Sequence, residues 1–450
     1  MASNAKNLAE YLNNQTTSAT ADIADGSITT AKLADDAITT AKISNDAVGA
    51  DQLADNSVVT ANITSGAIST VKVADGAITS VKTTGVGKPR NLIINGAMSV
   101  SQRTLSETGV NSDRYSACDR FKIFNNQAHF TVSQESLTAS DIPHQNGFTK
   151  ALKLDCTTAQ ASPGAADRMK IRHSFEGQQL QHLKYGNGNA ETLTLQFWVK
   201  ATKTGTNTIN MYQDDAAKMC SASYTISASN TWEKKTVSFV GNTANGITND
   251  NTRGLLVEWN LGGGSNRTSG TLRTAWTAYD DADEMPGQVN HADNTANNFH
   301  LTGVQLEIGT TAGDFEFRDH EEIFKHCQRY CYRIGGNGVN EIYNHIALGV
   351  RNNTNYAWCP LHLPTPMRAM PTATSGGNSN NCYGLWTGTG GSWDTNHTDM
   401  GFYGNLALHR DGSKSTMPLA LNGINTGFGN GQAFILAFQA NGMMQLDADL

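Results

Sequence analysis

Leu193-Thr194-Leu195-Gln196-Phe197-Trp198-Val199-Lys200 alternates large apolar and polar side chains almost without a break. Successive side chains of a strand point to opposite faces, so this spacing predicts a strand over Thr192–Lys200 with one face in a core. A helix would need apolar residues three and four apart, which this stretch does not provide. Similar short segments lie on both sides: Asn91–Ile94, Arg120–Phe124, Phe130–Ser133, Ala151–Asp155, Lys170–Glu176, Thr208–Tyr212, Ala222–Ile226, Trp232–Val240, Leu255–Asn260 and Asn298–Ile308. Polar connections rich in Gly and Asn separate them, with no amphipathic helix between. Runs of short strands of this kind predict a β-sandwich.

Composition agrees. Charged residues are 16% and hydrophobic ones 38% of the 450 residues, both below the usual globular share, and 43 Gly fill part of the gap. The formal net charge of -7 comes without a basic stripe, which argues against nucleic acid as a partner. No apolar run is long enough to span a membrane as a helix, so membrane insertion is not expected. Met1–Asn14 lacks the basic, apolar and small-residue order of a secretory signal. The seven cysteines, Cys118, Cys156, Cys220, Cys327, Cys331, Cys359 and Cys382, are scattered and odd in number. They read as reduced thiols of a protein folded in a cytoplasm. Metal and cofactor are both expected to be none. Cys327 and Cys331, four apart near His320 and His326, are packing residues more readily than ligands.

Upstream, a ten-residue repeat occupies residues 23–85. One apolar column is Ile23, Leu33, Ile43, Leu53, Ile63 and Val73; the other, offset by five, is Ile28, Ile38, Val48, Val58, Ile68 and Ile78. Between them stand bend dipeptides such as Asp25-Gly26, Asn45-Asp46 and Asp75-Gly76. A spacing of five suits neither one helix face nor one strand face. Short extended segments joined by bends do fit, and they bring each aliphatic side chain back to one axis. Twelve such side chains in one chain recover too little to offset the entropy of ordering the segment. The two columns are therefore expected to form the core of a homo-oligomeric shaft, with Lys32, Lys42, Lys72 and Lys82 facing solvent. A single-chain pentapeptide β-helix and a disordered polar linker are the competing readings.

Around the repeat, Asn4–Asn14 reads as a short helix within an attachment segment at residues 1–22. Residues 86–318 would form the sandwich domain, and 319–450 a helix, Asp319–Arg333, followed by a β-rich tip. Phe434–Phe438 reads as a late buried strand.

A family resemblance appears at this point. Asn91-Leu92-Ile93-Ile94-Asn95-Gly96-Ala97-Met98 with Gln102-Arg103 resembles the opening of a domain found in bacteriophage tail-fibre and minor tail structural proteins. Gly303-Val304-Gln305-Leu306-Glu307-Ile308-Gly309, Phe315-Glu316 and Cys327-Gln328-Arg329-Tyr330 resemble its close. The resemblance covers roughly residues 90–335. It implies an all-β, elongated fibre: a repeat β-shaft, a jelly-roll-like sandwich similar to carbohydrate-binding modules, and a β-rich C-terminal tip. It also implies a homotrimer located in the virion tail and assembled in the host cytoplasm. Expected partners are other tail proteins through the N-terminus and a host surface glycan or receptor.

For the ligand site the sequence offers one aromatic and polar cluster: Trp386, Trp393, Asp394, His397, Asp399 and Tyr403. Aromatic platforms beside carboxylates and amides suit sugar hydroxyls, although loop aromatics serve equally as small cores or subunit contacts. Catalytic residues are expected to be none. A polysaccharide-degrading spike would need paired carboxylates; Asp214, Asp215, Glu258, Asp394 and Asp399 are present, but nothing in the spacing pairs them. No phosphate loop, zinc-protease motif or nucleophile elbow occurs. A purely structural fibre without receptor binding is the other alternative.

Overall fold

The computed structural model describes Asn4–Asn14, isolated positions between 27 and 68, and residues 90–450 apart from 127, 336–343, 352–355, 377–382, 387–406, 409–415, 423–430, 432 and 439–442. The chain divides into two compact units, Met1–Val86 and Gly87–Leu450. In the first, Asn4–Asn14 is helical, as its apolar spacing predicts. Of the two aliphatic columns, Leu33, Ile43, Ile63 and Ile68 lie among the described residues, and they are 41–59% exposed in the single chain. The other eight members lie outside them.

The second unit is a two-sheet antiparallel sandwich followed by two further sheets. In spatial order the first sheet is β1 (Ser106–Val110), β4 (His129–Ser136), β5 (Lys150–Thr158), β13 (Asn298–Ile308), β7 (Leu193–Ala201) and β10 (Glu233–Phe239). The second is β12 (Thr277–Ala278), β9 (Lys218–Ile226), β8 (Gly205–Gln213), β11 (Arg253–Gly263), β6 (Arg168–Glu176), β3 (Lys122–Asn125) and β2 (Arg114–Tyr115). The chain passes repeatedly from one sheet to the other, so neighbouring strands are mostly distant in sequence, in the manner of a jelly roll. The fold is all-β in class, with few helices.

The alternation read in Leu193–Val199 sets the core. Leu193, Leu195, Phe197 and Val199 are fully buried. The Phe197 ring meets Trp259 of the opposite sheet edge-on, 6.0 Å between centroids and 88° between planes. Burying a side chain of this size contributes about 2–3 kcal/mol. In β13 a bulge between Thr302 and Gln305 re-aims the strand. Gly303, at its turn, has φ +60°, and a Cβ there would lie 2.9 Å from both Phe148 and Trp198. Only glycine meets both demands.

Three expectations are corrected. Asn91–Ile94 is not a strand: residues 94–97 form a turn instead. The reason is side-chain competition for the backbone, since Asn91 Oδ1 accepts from Ile93 N and Leu306 N while Asn95 Nδ2 donates to Val100 O and Asp119 O. The segment expected at Arg120–Phe124 begins as a strand only at Lys122, because Cys118 and Arg120 are in the left-handed region at φ 62° and 76°. The helix expected over Asp319–Arg333 spans His320–Gln328, capped by Asp319 Oδ1, which accepts from Glu321 N. It stops there because Cys331–Gly335 is recruited as β14.

β14 pairs with β22 (Met443–Asp447), which pairs with β17 (Thr372–Gly376), giving a three-stranded sheet. The remaining sheet orders β18 (Tyr383–Trp386), β21 (Ala433–Phe438), β15 (Asn344–Arg351), β16 (Tyr356–His362), β20 (Thr416–Asn422) and β19 (Ala407–Leu408). β21 is the strand expected at Phe434–Phe438, with Ile435 half-buried.

Ionic and aromatic contacts tie the three-stranded sheet to the sandwich. Arg329 Nε and Nη2 donate to the two oxygens of buried Glu176 at 2.7 Å, and Tyr330 Oη donates to Glu176 Oε1 at 2.6 Å. The buried Arg120 guanidinium stacks on Tyr330, 3.4 Å from the ring centroid. Beside it, Arg103 pairs with Asp447 and Asp449. The six described cysteines are free and buried, and Cys382 lies outside the described residues.

Candidate functional site

Strand register builds two kinds of row across the seven-stranded sheet. Ile123, Ile171, Trp259, Ile209 and Ala222 stand opposite one another and face the core. One residue further, Tyr115, Lys122, Arg172, Glu258, Asn210 and Ser221 are in register. Because side chains alternate, this second row lies on the outer face. Phe124 and Lys170 are two residues along the strands on one side, and Ser174, Leu256 and Tyr212 on the other.

The middle of this face is an ion cluster. Lys170 Nζ donates to Glu258 Oε2 at 3.0 Å and to Glu284 Oε1 at 2.6 Å, and Arg172 Nε donates to Glu258 Oε1 at 2.9 Å. Arg267 Nη1 reaches Tyr279 Oη at 3.0 Å and Glu284 Oε2 at 3.2 Å. Glu284, Arg267 and Tyr279 come from the excursion between β11 and β13, so the cluster fastens that excursion over part of the sheet. Burial pushes the Glu258 carboxyl up, but Lys170 and Arg172 outweigh it and hold it down to about 2. Burial, with Glu284 and Asp281 beside it, pushes the Tyr279 hydroxyl up, so it remains a donor.

Around the cluster the face is half open and aromatic. Phe124 lies under two guanidinium groups, Arg168 and Arg172, each 4.1 Å from its centroid. Tyr212 packs edge-on against Tyr279 at 5.4 Å, and Arg253 Nη2 donates to Asp214 Oδ1 at 2.8 Å nearby. Phe124, Tyr212, Tyr279, Arg168, Arg172, Arg253 and Asp214 all retain partial solvent exposure. With Phe124 covered by guanidinium groups, the partly exposed Tyr212 ring and the fixed donors and acceptors around it are the part of this face suited to a hydroxyl-rich ring.

Of the six residues singled out from sequence, Trp386 lies among the described residues. Trp386 is in β18, in register with Ile435. Trp393, Asp394, His397, Asp399 and Tyr403 lie outside the described residues. Among the carboxylates considered, Asp214 pairs with Arg253, Asp215 Oδ2 accepts from Thr248 N at 2.9 Å, and Glu258 is held in the ion cluster. Among the described residues no group of three or more His, Cys, Asp or Glu side chains could hold a metal ion, and no helix is long and apolar enough to cross a membrane. The sequence did carry a sign of the sheet face: Arg168-x-Lys170-x-Arg172 puts three cations on one side of a strand.

No protein-family model matches the chain, and no curated protein does. Solved structures similar to part of it include the enzymatically active domain of tailspike protein 4 of Bacteriophage CBA120. That match has 12% identity and a TM-score of 0.25, covering 49% of this chain and 21% of that one. A CBM4 structure is similar at 12% identity and a TM-score of 0.25, covering 48% of this chain and 98% of that one. The family 11 carbohydrate-binding module of a cellulosomal cellulase of Clostridium thermocellum is similar at 8% identity and a TM-score of 0.23, over 45% and 98% of the two chains. The all-β sandwich assignment stands on the strand pairing above.

Proposed function

We propose that this protein is an attachment fibre of a bacteriophage tail, homotrimeric through its repeat, and that its sandwich contacts a host surface glycan. The glycan contact is carried by one observation: Tyr212, partly exposed on the outer sheet face, stands beside the Arg253–Asp214 pair and the two guanidinium groups that Phe124 holds in place, Arg168 and Arg172. Lys170, Arg172, Glu258 and Glu284 of the ion cluster are already paired, so the face is preorganised, and a ligand need not order it on binding. The exposed aliphatic residues of the repeat support assembly, since sister copies of the chain would cover them. Several copies on one shaft would turn weak single contacts into avidity.

No hydrolysis is assigned to this face. Glu258 is committed to Lys170 and Arg172 and held ionised, so it has no proton to give a leaving group near neutral pH.

The test is binding of the full-length protein to purified host surface polysaccharide, compared with Tyr212→Ala and Phe124→Ala. Each substitution should weaken binding by about threefold to tenfold, with no release of reducing ends by any of the three proteins. Unchanged affinity in both variants would remove the sheet face as the contact, and released reducing ends would favour a degrading spike.

A further inference from the structure

A second concavity lies away from the sheet face, where the turn at residues 94–97 meets the segment 315–318 and the helix His320–Gln328. It encloses about 150 Å³. Its apolar wall is a trio of rings: Phe148 to Phe315 at 4.7 Å and 75°, Phe315 to Phe317 at 4.8 Å and 65°, and Phe148 to Phe317 at 5.1 Å. Phe148 is buried, whereas Phe317 is 55% exposed and so open to a ligand.

The polar wall is Glu316, Arg318, His320 and His326. Glu316 Oε2 accepts from Arg90 N at 2.9 Å, Asn91 N at 2.7 Å and Arg318 Nη2 at 3.1 Å. Arg318 Nη2 also donates to Asn91 O at 2.8 Å, and its Nη1 lies 3.8 Å from Glu322. One guanidinium thus stands between two carboxylates, and the site has no surplus positive charge with which to hold an anion. Arg318 Nε is buried without a partner. Burial keeps the half-covered His326 imidazole neutral near pH 7, so it offers one donor and one acceptor. The floor is rigid: a Cβ on Gly96 would come 2.0 Å from Val304 O, and the Asn95 side chain locks the turn from below.

We infer that this cavity is a binding site for a single uncharged sugar ring, its apolar face against Phe317 and its hydroxyls at the two imidazoles and the Glu316 carboxylate. In ligand class it rests on the glycan reading above; in location it is independent of the sheet face. Charge decides against acidic sugars, and the three-ring wall decides against a small inorganic ion.

Saturation-transfer NMR on the full-length protein tests this. The neutral probes are methyl α-glucopyranoside, methyl α-mannopyranoside and N-acetylglucosamine, and the acidic probe is glucuronate. At least one neutral probe should show ring-proton transfer exceeding that of glucuronate. Phe317→Ala should weaken it roughly tenfold and His326→Ala less; both positions are exposed, and an unchanged melting temperature verifies the fold. The Phe317 and His326 comparisons are repeated in the Tyr212→Ala background, which takes out any contribution of the sheet face, and the loss in Phe317→Ala should persist there. Absence of transfer from every neutral probe, stronger transfer from glucuronate, or survival of transfer in the double variant Phe317→Ala with Tyr212→Ala each overturns the inference. Retained monosaccharide binding with no polysaccharide effect in Tyr212→Ala or Phe124→Ala would sink the sheet-face reading alone.

Discussion

Leu33, Ile43, Ile63 and Ile68 of the repeat stand 41–59% exposed, whereas Leu193, Leu195, Phe197 and Val199 of β7 are fully buried. Both sets come from regular patterns of aliphatic and polar residues. The difference is in what each chain can supply. β7 has β10 and β13 beside it and a second sheet across the core, all drawn from the same polypeptide. The four described repeat positions keep 41–59% of their surface open to solvent within one chain. A pattern fixes which side chains should leave water, but burial needs a partner surface, and that surface need not be in the same molecule.

The largest effect that would test this contrast is Phe197→Ala. Removing a fully buried ring between Trp259 and Tyr224 should cost about 3–5 kcal/mol in chemical denaturation. A cost below about 1 kcal/mol would mean the sandwich core is not the organising one.

Acid should affect the sandwich in two opposed ways. Glu258 is held below the ordinary carboxylate range, so it contributes stability above about 4.5 that is lost as pH falls toward about 2. Asp449 is pushed up to about 6 by burial, which outweighs Arg103 and Arg120. Its folded state binds the proton more tightly than the unfolded chain, so its contribution is full below about 3.8 and fades as pH rises through about 6. Thermal melts across this range should show that Asp449→Asn flattens the decline between pH 4 and 6 and leaves the loss below pH 4. An unaltered profile would place Asp449 in solvent.

The smallest expected change is in the repeat. Replacing Ile43, Ile63 and Ile68 together by Ser should shift sandwich unfolding by less than about 0.5 kcal/mol. Sedimentation should nonetheless show a fall in assembled mass. A large loss of sandwich stability with no change in mass would reverse the roles given to the two regions.

Much of the sandwich was legible from local pattern. Asn298–Ile308 is a strand over the whole range expected, and Leu193–Ala201 is within a residue of it. The misses share a cause. At Asn91–Ile94 the apolar residues look like a strand, but buried Asn91 and Asn95 spend their amides on a turn whose partners include Leu306 and Asp119. The helix after Asp319 ends at Gln328 because Cys331–Gly335 finds Met443–Asp447, more than a hundred residues away in sequence. Neither event leaves a mark in a local window.

Sequence alone determined the all-β class, the inward positions of the sandwich strands, the helix at Asn4–Asn14 and the doubled aliphatic columns of the repeat. These follow from side-chain periodicity and turn chemistry, which act over a few residues. Only the tertiary structure decided that Phe124, Tyr212 and Arg172 share an open face, and that Glu316 meets Asn91 beside a cavity across 225 residues of chain. The crossing of strands between sheets makes those meetings, and periodicity carries no information about which distant strand will become a neighbour.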